Sequence, residues 1–207
     1  MKLYLSSYRI PVPEAFNALL PAAPKKTKFA LIPNAKDYYA PRAWSFKVQD
    51  FLEYAKDLGF KPHVFDLRFH SPKTVKAKLE KFDCVWAMGG NTFCLRHEMQ
   101  RSGFDKVIQE LVEDGLVFGG DSAGALVAGP SLKGVDLADE PEFADEVITD
   151  GLSIIPTVVI PHADNQEFQE TVREIVAIHQ EYPYKVILND NQAFVVDGEA
   201  TQIVTGQ

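Results

Sequence analysis

This chain of 207 residues has few cysteines, fewer basic than acidic residues and no long apolar run. The two cysteines, Cys84 and Cys94, are too few for a disulfide scaffold and suit a reducing compartment. The 21 Lys and Arg against 29 Asp and Glu leave a net charge of −8, which argues against nucleic-acid and anionic-membrane partners. No stretch approaches the roughly 20 apolar residues that span a bilayer. We therefore expect a cytoplasmic protein with small-molecule or peptide partners.

Short β-branched or aromatic runs alternate with amphipathic segments along the chain. The runs predict strands at 28–33, 63–67, 84–88, 116–118, 157–160, 186–188 and 194–196. Apolar residues at helical spacing predict helices over 44–58, 104–112 and about 165–179. This alternation predicts a single α/β domain over residues 1–207, with a doubly wound, mainly parallel sheet and helices on both faces. Ligands bind beyond the carboxyl ends of the strands in such folds.

Residues 127–151 depart from the alternation. They contain two prolines and three glycines, together with seven Asp or Glu residues. Long loops of this kind either have a function or are poorly ordered. The segment is therefore either a rim or lid beside a site, or a solvated linker.

The sharpest local pattern is Gly120-Asp121-Ser122-Ala123-Gly124, which directly follows a predicted strand. Glycines two residues before and two after a serine permit a strained strand-to-helix turn that lifts the hydroxyl above the sheet edge. The N–H of Ala123 then points at whatever approaches Ser122 and is a candidate oxyanion donor. The pattern predicts a nucleophilic serine; the plainer interpretation is a glycine-rich turn with a capping serine.

A nucleophilic serine needs a base and an acid that orients the base. Among the five histidines we favour His162, because it follows the strand predicted at 157–160 and so shares the edge that carries Ser122. Asp190 follows the strand predicted at 186–188 and is the favoured acid. Asp164 is the competing acid, and for an α/β-hydrolase order the acid would instead come from residues 136–150.

A second glycine turn, Gly89-Gly90-Asn91-Thr92, follows the strand predicted at 84–88. Its main-chain N–H groups are candidates for the second oxyanion donor, and Asn91 and Thr92 are candidate substrate contacts. The turn lacks the lysine of a P-loop and the third glycine of a dinucleotide fingerprint. No Cys or His cluster has metal-ligand spacing, so we expect neither a cofactor nor a metal.

The combination of Met88-Gly89-Gly90-Asn91-Thr92-Phe93, Gly120-Asp121-Ser122-Ala123-Gly124-Ala125 and Pro161-His162 resembles the dipeptidase E (alpha-aspartyl dipeptidase) family of serine peptidases, to which cyanophycinases are related. The resemblance covers most of the chain. It implies a class I glutamine amidotransferase-like fold, a flavodoxin-like arrangement of three layers, with serine where the amidotransferases carry cysteine.

The same resemblance implies roles for individual residues. Ser122 is the implied nucleophile, His162 the base, and Gly90 and Ala123 the oxyanion donors. Asp190 stands, with a looser match, at the position of the family's acid.

Family members specific for an N-terminal aspartate hold its side chain with an arginine in a Glu-Thr-Arg sequence. This chain instead reads Glu170-Thr171-Val172-Arg173, with the arginine displaced by one place. On a helix this is a turn of about 100°. Arg173 is therefore a candidate specificity residue whose register differs from that of the family.

These observations predict a serine peptidase that hydrolyses dipeptides or short peptides through an acyl-enzyme, with an N-terminal Asp as the candidate specificity. An acidic group, Asp164 or one in residues 136–150, is a candidate partner for the free substrate amino group. Two alternatives stay open: an α/β-hydrolase-type esterase or amidase, and an amidotransferase-like binding module without turnover. We expect a monomer or a homodimer that binds neither nucleic acid nor a membrane.

Overall fold

The computed structural model describes residues 1–207, in which the apolar runs form strands and the amphipathic segments form helices. The strands are β1 Lys2–Ser6, β2 Phe29–Ile32, β3 His63–Val64, β4 Cys84–Ala87, β5 Val117–Asp121, β6 Val158–Ile160, β7 Lys185–Ile187, β8 Gln192–Asp197 and β9 Ala200–Thr205. The α-helices are α1 Pro13–Leu19, α2 Pro41–Asp57, α3 Val75–Leu79, α4 Thr92–Ser102, α5 Ile108–Glu113, α6 Ala123–Leu126 and α7 Gln169–Ile178. No helix is long and apolar enough to cross a membrane.

Seven strands form the central sheet in the order β3-β2-β4-β5-β1-β8-β9. The first five of these are parallel, whereas β8 runs antiparallel to β1 and β9 antiparallel to β8. The mainly parallel sheet is therefore confirmed. Because the parallel strands point the same way, the turns that follow β1, β2, β4 and β5 meet at one edge of the sheet.

Both faces of the sheet are buried. Leu3 and Leu5 lie in one hydrophobic core of 33 buried residues, while Tyr4 lies in a second core of 17 on the other face. Trp86 and Phe16 belong to the second core, where their rings meet edge-on with centroids 5.4 Å apart. The helices on both faces confirm the doubly wound architecture.

Strands β6 and β7 form a separate parallel pair outside the central sheet. The pair packs against α7 through a small apolar cluster of Val158, Ile160, Val172 and Ile175. Helix α7 buries Val172 and Ile175 against this pair, while Arg173 and Glu174 on its other side face solvent.

Some boundaries differ from the sequence prediction for local reasons. The strand predicted over 63–67 ends at Val64, because the Asp66 carboxylate accepts the N–H of Arg68 and begins a short 3₁₀ turn. The helix predicted over 104–112 is divided into a 3₁₀ turn over 104–106 and α5. The helix predicted over about 165–179 is shorter in the structure, where α7 spans Gln169–Ile178.

The acidic segment 127–151 packs against the start of α4. The Asp139 carboxylate accepts the N–H of Thr92 at 2.8 Å, and the Asn91 amide donates to the Glu140 carbonyl at 2.9 Å. Further along, the guanidinium of Arg96 donates to the Asp150 carbonyl at 2.9 Å. These bonds hold the segment beside the turn after β4, so it forms a rim and not a free linker.

Candidate active site

Ser122 occupies a strained turn between β5 and α6. Its backbone has φ 50° and ψ −113°, a conformation that L residues rarely adopt. The turn closes because its flanking glycines lack side chains: a Cβ on Gly120 would lie 2.6 Å from the Gly124 carbonyl carbon. A Cβ on Gly124 would lie 2.0 Å from the Ala87 carbonyl oxygen. The predicted serine elbow is thus present in the backbone geometry.

A chain of hydrogen bonds runs from Ser122 to Asp190. The Nε2 atom of His162 lies 2.9 Å from Oγ of Ser122, and its Nδ1 atom lies 2.5 Å from Oδ1 of Asp190. The three side chains come from the turns after β5, β6 and β7, which share one edge of the fold. No residue of 136–150 hydrogen-bonds the imidazole. This arrangement is able to move a proton from the serine hydroxyl to the histidine.

Three neighbours hold Asp190 in place. The hydroxyl of Ser7 donates to Oδ1 at 2.8 Å, and the amide of Asn165 donates to Oδ2 at 3.0 Å. Burial by itself raises the pKa of Asp190, but the hydrogen bonds from His162, Asn165 and Ser7 outweigh it and lower the pKa below its ordinary value. The carboxylate is therefore ionised where it meets the imidazole. Asp164 accepts the main-chain N–H of Asp190 at 2.8 Å and so supports the turn.

His162 is fixed from its main chain and from its ring. Its φ of 65° lies in the left-handed region, and its N–H donates to the Ser7 hydroxyl at 2.8 Å. The Phe168 ring stacks on the imidazole with centroids 5.0 Å apart. These contacts leave the imidazole a small range of orientations, with Nε2 directed at Ser122.

The turn Gly89-Gly90 lies beside the serine. A Cβ on Gly89 would lie 3.0 Å from Cβ of Ser122, and Gly90 has a φ of 139° that favours glycine. Neither the Gly90 N–H nor the Ala123 N–H donates in any hydrogen bond of the turns, loops and caps. Both donors are free for an oxygen bound next to Ser122.

Asp121, which precedes the serine, is a buried carboxyl group. Its Oδ1 accepts the indole N–H of Trp86 at 2.8 Å. Burial raises its pKa despite that hydrogen bond and the nearby charge of Lys36. Asp121 therefore anchors the elbow to the sheet below it.

A cavity of about 350 Å³ opens at Ser122 and His162. One part of its wall is apolar and comes from α6, β6, α7 and the rim segment: Leu126, Val135, Ile160, Phe168, Val172 and Ile175. The polar lining residues include Tyr8, Lys36, Tyr38, Asp139 and Glu140. The volume is at the lower end of the range for small-molecule sites.

The remaining candidates from the sequence lie outside this cavity. Asn91 caps α4 by accepting the N–H of Cys94, and Thr92 is buried behind the rim segment. Asp164 accepts the main-chain N–H of Asp190 and does not line the cavity. Arg173 is exposed on α7, where the cavity side of the helix presents Thr171, Val172 and Ile175 instead. The one-residue displacement of the arginine thus turns it toward solvent.

The sequence patterns did not indicate three residues of this site: Ser7, Asn165 and Lys36. Each follows a strand or lies in a turn at the edge that carries Ser122: Ser7 directly after β1, and Lys36 four residues after β2. The rule that ligands bind beyond strand carboxyl ends would have selected all three, since Asn165 lies five residues after β6.

The fold and this site define an α/β protein that carries a serine on a strained strand-to-helix turn, with a histidine in hydrogen-bond contact. The chain belongs to Peptidase family S51, whose model matches residues 6–204, and it is a serine-type peptidase. An uncharacterized peptidase of Listeria innocua is 28% identical over 165 residues, which are 78% of this chain and 79% of that protein. A Peptidase E of Shewanella putrefaciens is 39% identical over 86 residues, covering 40% of this chain and 34% of that protein.

Solved structures agree with the fold. A crystal structure of a protein from Listeria monocytogenes described as a peptidase E superposes with a TM-score of 0.85 at 25% identity, covering 100% of this chain and 98% of that one. A peptidase from an acI-B1 actinobacterium superposes with a TM-score of 0.70 at 18% identity, covering 99% and 87%. The second likeness concerns the fold alone.

Proposed function

We propose that this peptidase hydrolyses dipeptides or short peptides through a Ser122-His162-Asp190 triad and an acyl-enzyme. The observation that supports the triad is the hydrogen-bond chain in which His162 Nε2 lies 2.9 Å from Ser122 Oγ and His162 Nδ1 lies 2.5 Å from Asp190 Oδ1. The first distance is within the reach that proton transfer requires, and the second is a hydrogen bond that orients the imidazole.

In the first half of the reaction, Oγ of Ser122 forms a bond to the scissile carbonyl carbon while Nε2 of His162 takes the hydroxyl proton. The N–H groups of Gly90 and Ala123 receive the oxyanion. Asp190 holds the proton on Nδ1 and stabilises the imidazolium. The C–N bond then breaks, and His162 gives its proton to the leaving amine.

In the second half, His162 takes a proton from a water molecule that attacks the ester carbonyl. The bond to Ser122 breaks, Oγ recovers its proton from His162, and the acid is released. Serine, histidine and aspartate thus end the cycle in the states in which they began.

Asp139 is the proposed partner for the free amino group of the substrate. It is a member of the acidic rim that lines the cavity, and its Oδ2 already accepts the Thr92 N–H at 2.8 Å. Burial raises the pKa of Asp139, which is the response of a carboxyl that lacks a cation in contact. A substrate ammonium supplies such a cation. The cavity of about 350 Å³ has room for little more than a dipeptide.

A panel of dipeptides with N-terminal Asp, Glu, Asn, Gly and Leu tests the proposal, with Ser122→Ala beside the wild type. Ser45→Ala, an exposed serine on α2, is the matched control. We expect the wild type and the control to cleave members of the panel and Ser122→Ala to lose at least about 10⁴-fold in kcat. Full activity in Ser122→Ala contradicts the triad. No cleavage by the wild type contradicts the dipeptidase proposal and favours a binding module.

A further inference from the structure

Lys36 is a cation in the cavity of Ser122 that has no partner. It ends the short turn 34–36 after β2 and is half-buried, and it is the one Lys or Arg among the residues that line the cavity. Its ammonium group makes no hydrogen bond, and no carboxylate lies within ion-pair distance of it. A partly desolvated ammonium without an acceptor is unfavourable, since it has given up water without replacing it.

The nearby carboxylates already have donors of their own. Asp121 accepts the Trp86 indole at 2.8 Å, and Asp139 accepts the Thr92 N–H at 2.8 Å. They act on Lys36 only through space, as do the hydroxyl of Tyr39 and the ammonium of Lys47. The three N–H donors of Lys36 therefore remain unused in the cavity that Ser122 also lines.

The environment of Lys36 suits an anionic ligand. Burial lowers the pKa of the ammonium, whereas the charges of Asp121 and Asp139 oppose that change and favour the charged form. Partial burial also strengthens any ion pair formed there relative to one in water. Arg173, the cation expected from the sequence, is exposed and outside the cavity.

We propose that Lys36 binds a carboxylate of the peptide substrate and is the specificity-determining cation of this site. The inference rests on the proposed function, because it assigns the ligand of the same cavity. Two carboxylates of a short peptide have this chemistry: the side chain of an acidic residue, and the carboxyl terminus of a dipeptide.

Matched substrate pairs distinguish the two sources. Asp-Leu and Asn-Leu differ by the side-chain charge, while Leu-Leu and Leu-Leu-amide differ by the terminal charge. We expect Lys36→Met to lower kcat/KM for the charged member of one pair by about 10- to 100-fold, mainly through KM. The kcat/KM for the uncharged member of that pair should change little, so the ratio of the two kcat/KM values falls toward one. Lys36→Arg should recover part of the ratio. Lys106 is exposed and does not line the cavity, so Lys106→Met should leave the ratio unchanged.

Binding measured without turnover separates this inference from the proposed function. Calorimetry with the same four peptides compares Ser122→Ala with the double variant that also carries Lys36→Met. Weaker binding of the charged member in the double variant supports Lys36 even if the wild type hydrolyses nothing. Equal binding and an unchanged kcat/KM ratio in Lys36→Met overturn the Lys36 inference while hydrolysis still supports the triad. If none of the four peptides binds, the Lys36 inference fails, and cleavage within the dipeptide panel still decides the proposed function.

Discussion

The hydroxyl of Ser7 donates a hydrogen bond of 2.8 Å to Oδ1 of Asp190. The hydroxyl oxygen of Ser7 also accepts the main-chain N–H of His162 at 2.8 Å. One side chain at the end of β1 thus contacts both the proposed base and the proposed acid. This contact links the central sheet to the separate pair of strands, β6 and β7, whose following turns carry His162 and Asp190.

Removal of the Ser7 hydroxyl should therefore reduce turnover. Ser7→Ala takes away a hydrogen bond to a carboxylate and the acceptor of the His162 N–H, so we expect a loss of about 10-fold in kcat with little change in KM. Steady-state kinetics on a cleaved dipeptide measures this. Ser6→Ala is the control, because its hydroxyl bonds to the main-chain carbonyls of Arg9 and Gly120 and not to the triad. A Ser7→Ala enzyme with wild-type kcat would show that Ser7 has no positioning role.

The two candidate acids should respond very differently to amidation. Asp190→Asn replaces the acceptor of the imidazole N–H and disfavours the productive tautomer, and we expect kcat to fall on the order of 10³- to 10⁴-fold. Asp164→Asn keeps an oxygen that accepts the Asp190 N–H, so its kcat should stay within a few-fold of wild type. The reverse ranking of the two variants would identify Asp164 as the acid.

Gly90 is expected to tolerate no side chain. A Cβ there would lie 2.3 Å from the Ala35 carbonyl oxygen, at a φ of 139°. Gly90→Ala must displace the main chain that carries the proposed oxyanion donor, and we expect a loss of about 10²-fold in kcat. Gly198→Ala is the control, because its φ is also positive at 63° but no atom lies within 4 Å of the added Cβ. Equal kcat values for the two variants would exclude Gly90 from the oxyanion site.

Asp37, near the cavity, should make stability depend on pH. It accepts hydrogen bonds from Asn34 at 2.7 Å and Trp44 at 2.9 Å, and burial raises the pKa of its carboxyl to about 6. A raised folded-state pKa gives stability that is complete below the unfolded value near pH 4 and is lost as the pH rises through 6. Asp37→Asn cannot ionise. The unfolding free energy of Asp37→Asn minus that of the wild type should therefore increase by on the order of 3 kcal/mol between pH 4 and pH 7.

Urea unfolding at both pH values measures that difference directly. The comparison of variant with wild type cancels the titration of carboxyls that do not interact with Asp37. Asp66 does interact with it, but its pKa is lowered from the ordinary value, so it titrates below this pH range. A difference between Asp37→Asn and wild type that is the same at pH 4 and pH 7 would contradict the raised pKa.

Much of this fold was accessible from the sequence because its determinants are local. The glycines around Ser122 prescribe a sharp turn, and the apolar runs before Ser122, His162 and Asp190 predict strands whose carboxyl ends carry them. Strand pairing is not local, so nothing in residues 157–160 indicated that β6 would leave the central sheet and pair with β7 alone.

The rest of the site depended on side-chain direction, which the sequence pattern left open. Asp164 and Asp190 both follow strands closely, and only the path of each turn decides that Asp190 meets the imidazole. Arg173 faces solvent because one residue turns a helix by about 100°. Lys36 faces the cavity because of the 3₁₀ turn over 34–36, a feature that its neighbours in sequence do not signal.

The central claim is that Ser122 is a nucleophile activated by His162, and covalent labelling tests it most directly. The protein is treated with a neutral fluorophosphonate, and the intact mass and the labelled peptide are measured for wild type, Ser122→Ala and His162→Gln. We predict one adduct per wild-type chain, located on Ser122, no adduct in Ser122→Ala and much slower labelling in His162→Gln. A wild-type chain that gains no adduct, or gains it on another residue, would contradict the account.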